Sequence, residues 1–130
     1  MRLFASKIKL FCKFLIIELL SLLIFLLIIL PVVMKFNGEV CADRFAEILK
    51  ALNVETAGMG KDEIIAKFVA MIEELSRAVG VTQTIKDYGC KEEDIDMLSN
   101  KAMEDPCKPG NPREVSHADF VALYREAMNR

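Results

Sequence analysis

The residues of this sequence that could do chemistry are one histidine and four cysteines. His117 is the only histidine, and the cysteines at positions 12, 41, 90 and 107 have neither CxxC spacing nor a neighbouring histidine. A structural zinc site needs about four nitrogen or sulfur ligands brought together. We therefore predict no metal site, and we expect His117 to be a surface residue in the first turn of a helix.

Cys107 is the best candidate for a reactive group, because it opens a loop with two prolines and a glycine at residues 107–113. A nucleophilic thiolate needs a neighbouring base or a positively charged environment. The sequence offers Cys107 neither a second histidine nor a lysine-rich neighbourhood. The acidic run at residues 92–96 lacks the ligand pattern of an EF-hand and is expected to cap a helix. The residues alone therefore predict no active site.

The spacing of apolar residues predicts an all-α fold. Past Asn37-Gly38, apolar residues recur every three or four positions in about five segments, with no β alternation. These segments cover residues 41–52, 62–79, 82–88, 92–104 and 116–128. Gly80 marks one helix end, and Ser116 with Asp119 forms a capping box at the start of the last helix. Ile48, Leu52, Leu75 and Val79 are expected on the buried faces.

The composition bounds the function classes. A chain of 130 residues is large enough for one domain. Its net charge of −2 and its isoelectric point near 5.5 give no basic surface for nucleic acid. Residues 1–35 carry a net charge of +4 and residues 36–130 a net charge of −6. This change predicts two segments, an apolar N-terminal segment at 1–35 and a helical domain at 36–130.

The N-terminal segment is long and apolar enough to be a candidate transmembrane helix. Residues 19–34 contain no charge, and the apolar stretch spans residues 14–34. Basic residues ahead of it would keep the N-terminus in the cytoplasm. A secretory signal is the competing interpretation. Three cysteines in the remainder of the chain, an odd number, favour a reducing compartment and conflict with export.

Four motifs together resemble the C-terminal helical domain of the iron-containing (group III) alcohol dehydrogenases, which is dehydroquinate synthase-like. They are Leu30-Pro31-Val32-Val33-Met34-Lys35-Phe36-Asn37, Arg44-Phe45-Ala46-Glu47-Ile48, Leu75-Ser76-Arg77-Ala78-Val79-Gly80-Val81, and residues 105–113 followed by Asp119. The resemblance covers about Ile28 to Met128 and rests on the combination. Thr82 and Lys108-Pro109 depart from the usual pattern.

The resemblance implies an oxidoreductase that interconverts alcohols and carbonyl compounds with NAD(P) and Fe(II) or another divalent metal. The family's nucleotide-binding domain and metal ligands precede the matching part, and Leu22-Leu23 stands where the last His-Gly ligand motif is expected. No metal or cofactor residue carries over, so we expect no cofactor in this chain. Only Cys107 carries over, in the loop that approaches the substrate pocket.

Two hypotheses follow. In the first, residues 1–27 are a shifted reading frame, and the rest is a cytoplasmic dehydrogenase fragment, inactive alone, that self-associates or binds the missing N-terminal half. In the second, residues 14–34 anchor a single-span membrane protein whose helical domain binds a partner.

Overall fold

The computed structural model describes the backbone of residues 2–130 and the side chains of residues 20–130. In that part of the chain the secondary structure is entirely helical. The α-helices are α1 (Arg2–Ala51), α2 (Lys61–Ala78), α3 (Ile95–Met103) and α4 (His117–Met128). Short 3₁₀ helices occupy Ile85–Tyr88, Glu92–Asp94 and Lys108–Gly110. The predicted all-α fold with a long apolar N-terminal helix is confirmed.

The helix ends follow the predicted sequence signals. At the start of α4, the hydroxyl of Ser116 accepts from the backbone N–H of Asp119, and the Asp119 carboxylate accepts from the backbone N–H of Ser116 at 2.9 Å. Gly80 follows α2 with a φ of 85°, a backbone conformation that favours glycine. Local hydrogen-bonding chemistry thus fixed these boundaries.

The predicted helix start after Asn37-Gly38 is wrong, because α1 runs through both residues without a break. The apolar segment and the first helix of the domain are one helix, so the structure has four α-helices. Gly38 lies against α2: a Cβ added there would approach Ile65 to within 2.8 Å. The glycine permits close helix packing here. The proposed domain boundary at residue 35 falls inside α1 and stays a prediction.

Helix α1 joins two hydrophobic cores. Near its middle, Ile28 and Val32 pack with Ile85, Ile95, Ala127 and Met128. Further along, α1 crosses α2 in a second core formed by Cys41, Ala42, Phe45, Leu49, Ile65 and Phe68. The rings of Phe45 and Phe68 stack with centroids 4.1 Å apart. Helix α1 therefore packs against α2 in one core and against α4 and the 3₁₀ helix Ile85–Tyr88 in the other.

Four residues that we expected in the core are exposed. Ile48 of α1, Leu52 just after α1, Leu75 of α2 and Val79 just after α2 present 44% or more of their surface to solvent. Their spacing predicted a buried stripe, but the crossing of α1 and α2 covers only one side of each helix. Cys12, the basic residues before position 14 and residues 14–19 of the candidate membrane span lie outside the described side chains.

Candidate functional site

The loop at residues 105–113 is held against α1 by polar contacts. The amides of Asn37 and Asn111 donate to each other, with N to O distances of 2.8 and 2.9 Å. Arg113 donates from Nη1 to the carbonyl of Phe36 at 2.9 Å, and its guanidinium lies 3.8 Å from the centroid of the Phe36 ring. The loop therefore has a fixed position on α1.

A cavity of about 290 Å³ opens between this loop, α1 and α4. Its apolar wall includes Val33 and Phe36 of α1 together with residues of α4. The polar residues that line it are Asp105, Cys107, Lys108, Asn111 and Tyr124. The volume is near the lower end of the range for small-molecule sites. The cavity is large enough for a small molecule, and its lining is apolar on α1 and mixed elsewhere.

Cys107 is exposed, and its backbone N–H donates to the carboxylate of Asp105 at 2.7 Å. Burial raises the pKa of the Tyr124 phenol above its usual value, so this group is a neutral hydrogen-bond donor at pH 7. The assignment of Cys107 to a substrate pocket stays a prediction. Its position on the cavity wall is consistent with that assignment.

The residues expected to be inert are far from forming a metal centre. His117 lies with Nε2 at 3.5 Å from Oδ1 of Asp96, on a side chain that is 39% exposed. Among residues 20–130, no three His, Cys, Asp or Glu side chains come close enough to hold a metal ion. Burial, with a smaller contribution from Asp94 and Glu92, raises the pKa of the Cys90 thiol. That thiol is therefore a weak ligand and a weak nucleophile at neutral pH.

The resemblance places a metal-ligand motif at Leu22-Leu23, where the structure has two half-exposed aliphatic side chains. Neither side chain can donate to a metal. The side chains of residues 20–130 therefore offer no donor set that fits a divalent metal.

Sequence reasoning missed the contacts that fix the loop. Asn111 and Arg113 helped to identify the family, but their partners on α1 were not predicted. One signal was present: Asn37 is a polar residue on a helix whose preceding residues are almost all apolar. Such a residue is expected to find a hydrogen-bond partner when it is buried.

Comparison with known proteins agrees with the resemblance. A model of the Fe-containing alcohol dehydrogenase family, C-terminal part, matches residues 25–128. Lactaldehyde reductase of Escherichia coli K12 is 35% identical over 100 residues, which are 77% of this chain and 26% of the reductase. The NADPH-dependent butanol dehydrogenase of Clostridium saccharobutylicum is 29% identical over 75% of this chain and 26% of its own length.

Solved structures agree as well. A 1,3-propanediol oxidoreductase superposes with a TM-score of 0.72 at 28% identity, over 78% of this chain and 26% of the other. An alcohol dehydrogenase from Oenococcus oeni gives a TM-score of 0.71 at 30% identity. This chain thus spans about a quarter of the length of these relatives. Because the match covers most of the chain in both sequence and fold, the chain belongs to the Fe-containing alcohol dehydrogenase family and corresponds to its C-terminal helical part.

Proposed function

We propose that this chain is the substrate-side helical part of an iron-type alcohol dehydrogenase and that it does not oxidise alcohols by itself. The proposal rests on the family match taken together with the side chains that could act as metal ligands. The match covers only the last quarter of the relatives, and residues 20–130 contain no cluster of metal-binding side chains.

The contribution of this chain to the reaction would be a wall of the substrate site. In the intact family, a metal and NAD(P) supply the carbonyl polarisation and the hydride acceptor. Here Phe36 and the cavity beside Cys107 would contact the carbon chain of a small alcohol or aldehyde. The Tyr124 hydroxyl is the group that would donate a hydrogen bond to its oxygen.

The test is an assay of the purified full chain with Fe(II) or Zn(II), with NAD⁺ or NADP⁺, and with 1,3-propanediol. We expect no reduced cofactor above the rate without protein, and no metal retained after gel filtration. The 1,3-propanediol dehydrogenase of Klebsiella pneumoniae, assayed in parallel, shows that the conditions permit turnover. Oxidation of the diol by this chain, lost in Cys107→Ala and dependent on retained metal, would contradict the proposal.

One observation favours the membrane-anchored alternative. The stretch from Leu20 to Ala51 is long and apolar enough to cross a membrane by length and composition, a test that the core helix of a soluble protein also passes. However, Ile24, Ile28 and Val32 from the middle of this stretch pack against α4 and the 3₁₀ helix Ile85–Tyr88. A bilayer would have to remove these side chains from the core, so we propose a cytoplasmic location.

Fractionation of cells that express the full chain separates the two locations. We expect the protein to leave the membrane pellet in an alkaline wash that does not extract spanning helices. Retention in the washed pellet would support the membrane-anchored interaction protein instead.

A further inference from the structure

The first turns of helix α1 extend beyond the two cores. The helix begins at the second residue of the chain, but among the side chains that the structure describes, the first one packed in a core is Ile24. The three leucines just before it, Leu20, Leu22 and Leu23, are at least half exposed. We call residues 2–23 the N-terminal arm; a helix of this length spans about 33 Å.

The arm precedes the part of the chain that matches the dehydrogenase family. The family match begins at residue 25. The contacts that relatives make with their own helical part therefore provide no partner for the arm. Apolar side chains exposed together on a helix mark a surface that binds something.

The charges of the arm indicate the chemistry of that partner. Its only acidic residue is Glu18, and residues 14–23 are otherwise uncharged. Its basic residues all lie in the first half, at Arg2, Lys7, Lys9 and Lys13. Four basic residues next to an apolar helical stretch are typical of segments that bind acidic phospholipids. The arm thus has a basic first half and an apolar second half.

The arm is too short to cross a bilayer. Between Lys13 and Ile24, where α1 enters the core, residues 14–23 extend about 15 Å along the helix, whereas the hydrocarbon layer is about 30 Å thick. A helix of this kind lies at the surface, with its basic residues among the headgroups and its apolar residues in the outer part of the hydrocarbon.

A second copy of the arm is a poorer partner than a lipid surface. Two parallel arms would bring their basic halves together, and two antiparallel arms would place each basic half against an apolar half. We propose that the arm binds an anionic phospholipid surface as a peripheral contact. Residues 36–130 carry a net charge of −6, so the same surface repels the helical domain and leaves it in water. A peripheral contact is compatible with the cytoplasmic location proposed above.

The test is sedimentation of the purified full chain with two kinds of vesicle, one of phosphatidylcholine alone and one that also contains about 30% phosphatidylserine. We expect the chain to sediment only with the anionic vesicles. Raising the salt from about 0.1 M to about 1 M should weaken this binding at least about tenfold, because salt screens exposed charges. Vesicle binding is independent of the activity assay that tests the proposed function.

Paired variants assign the binding to the arm. Lys9→Glu with Lys13→Glu should weaken binding to the anionic vesicles by at least about tenfold. Lys67→Glu with Lys101→Glu is the matched control, because it changes the net charge equally at exposed sites on α2 and α3, and it should weaken binding far less. All variants should keep the helical circular dichroism of the unmodified chain.

A second pair of variants tests the apolar half. Leu22→Ser should reduce binding, whereas Leu75→Ser, at a similarly exposed site on α2, should not. The proposal is overturned if the chain binds neither kind of vesicle, if it binds both equally, if salt does not release it, or if a control weakens binding as much as its arm variant. A dimer found by light scattering without vesicles, and lost in Leu22→Ser, would assign the arm to a second copy and also overturn it.

Discussion

The side-chain amides of Asn37 and Asn111 form a reciprocal pair across 74 residues of sequence, and Asn37 is only 4% exposed. Asn111 also donates to the carbonyl of Arg113 at 2.6 Å. The pair thus ties α1 to the loop that carries Cys107. A buried amide whose partner is removed loses its hydrogen bonds without regaining water.

Asn111→Ala should therefore destabilise the fold by about 1–3 kcal/mol. The measurement is urea unfolding followed by circular dichroism, repeated for Asn37→Leu and for the double variant. We expect the double variant to lose less than the sum of the two single variants, because it leaves no unpaired amide on either side. If the double variant loses as much stability as the sum of the two single variants, the two amides do not stabilise the fold through their mutual hydrogen bonds.

Gly38 is predicted to resist replacement although it lies within a helix. Gly38→Ala should gain about 1 kcal/mol from helix propensity, but its Cβ would lie 2.8 and 2.9 Å from the γ carbons of Ile65. We expect a net loss of about 1–3 kcal/mol, typical of overpacking. Thermal unfolding measures this loss, and Ile65→Ala in the same chain should reduce the effect of Gly38→Ala. Gly110→Ala is the control, since open space surrounds that position; equal losses at both glycines would refute the packing argument.

The three cysteines of the described region should react in a fixed order. Cys107 is exposed, Cys90 is partly buried with a raised thiol pKa, and Cys41 is buried. In a Cys12→Ser background near pH 8, we expect a disulfide reagent to modify Cys107 first and Cys41 only after unfolding. The modification rate at Cys90 should keep rising as the pH increases above 8. Its raised pKa leaves less of this thiol ionised at pH 8 than in an ordinary cysteine. Peptide mass spectrometry assigns each site, and early modification of Cys41 would contradict the second core.

The capping box of α4 should make stability depend on acid pH. Hydrogen bonds from the Ser116 hydroxyl and backbone N–H lower the pKa of the Asp119 carboxyl below its usual 3.8. A carboxyl whose pKa is lower in the folded than in the unfolded chain stabilises the fold at pH values above its unfolded-state pKa. This stabilisation is lost as the pH falls through the folded-state pKa. Asp119→Asn should therefore destabilise the chain at pH 7 and have little effect well below pH 3.8.

Ser116→Ala removes the same cap from the other side and should cost about 1 kcal/mol at pH 7. Urea midpoints measured from pH 2 to pH 7 test both substitutions. Glu114→Gln, an exposed carboxyl just outside the box, is the control. A loss for Asp119→Asn that is the same at pH 2 and pH 7 would exclude the linkage.

The sequence by itself determined the helical class, the ends of α2 and α4, and the family. These features depend on local patterns: apolar spacing sets a helix, and Ser116 or Gly80 marks an end through hydrogen bonds within a few residues. The expectation that the chain holds no metal site also came from the donor residues present, and it stays a prediction.

Only the tertiary structure decided which apolar residues are covered. Asn37-Gly38 looks like a break in local terms, yet Asn37 pairs with a loop 74 residues away and Gly38 admits Ile65, so α1 continues. Ile48 and Leu75 have core-like spacing but lie on the sides of α1 and α2 that face away from the crossing. Helical periodicity identifies a face; which face meets another element depends on helix crossing and on what else is present to cover it.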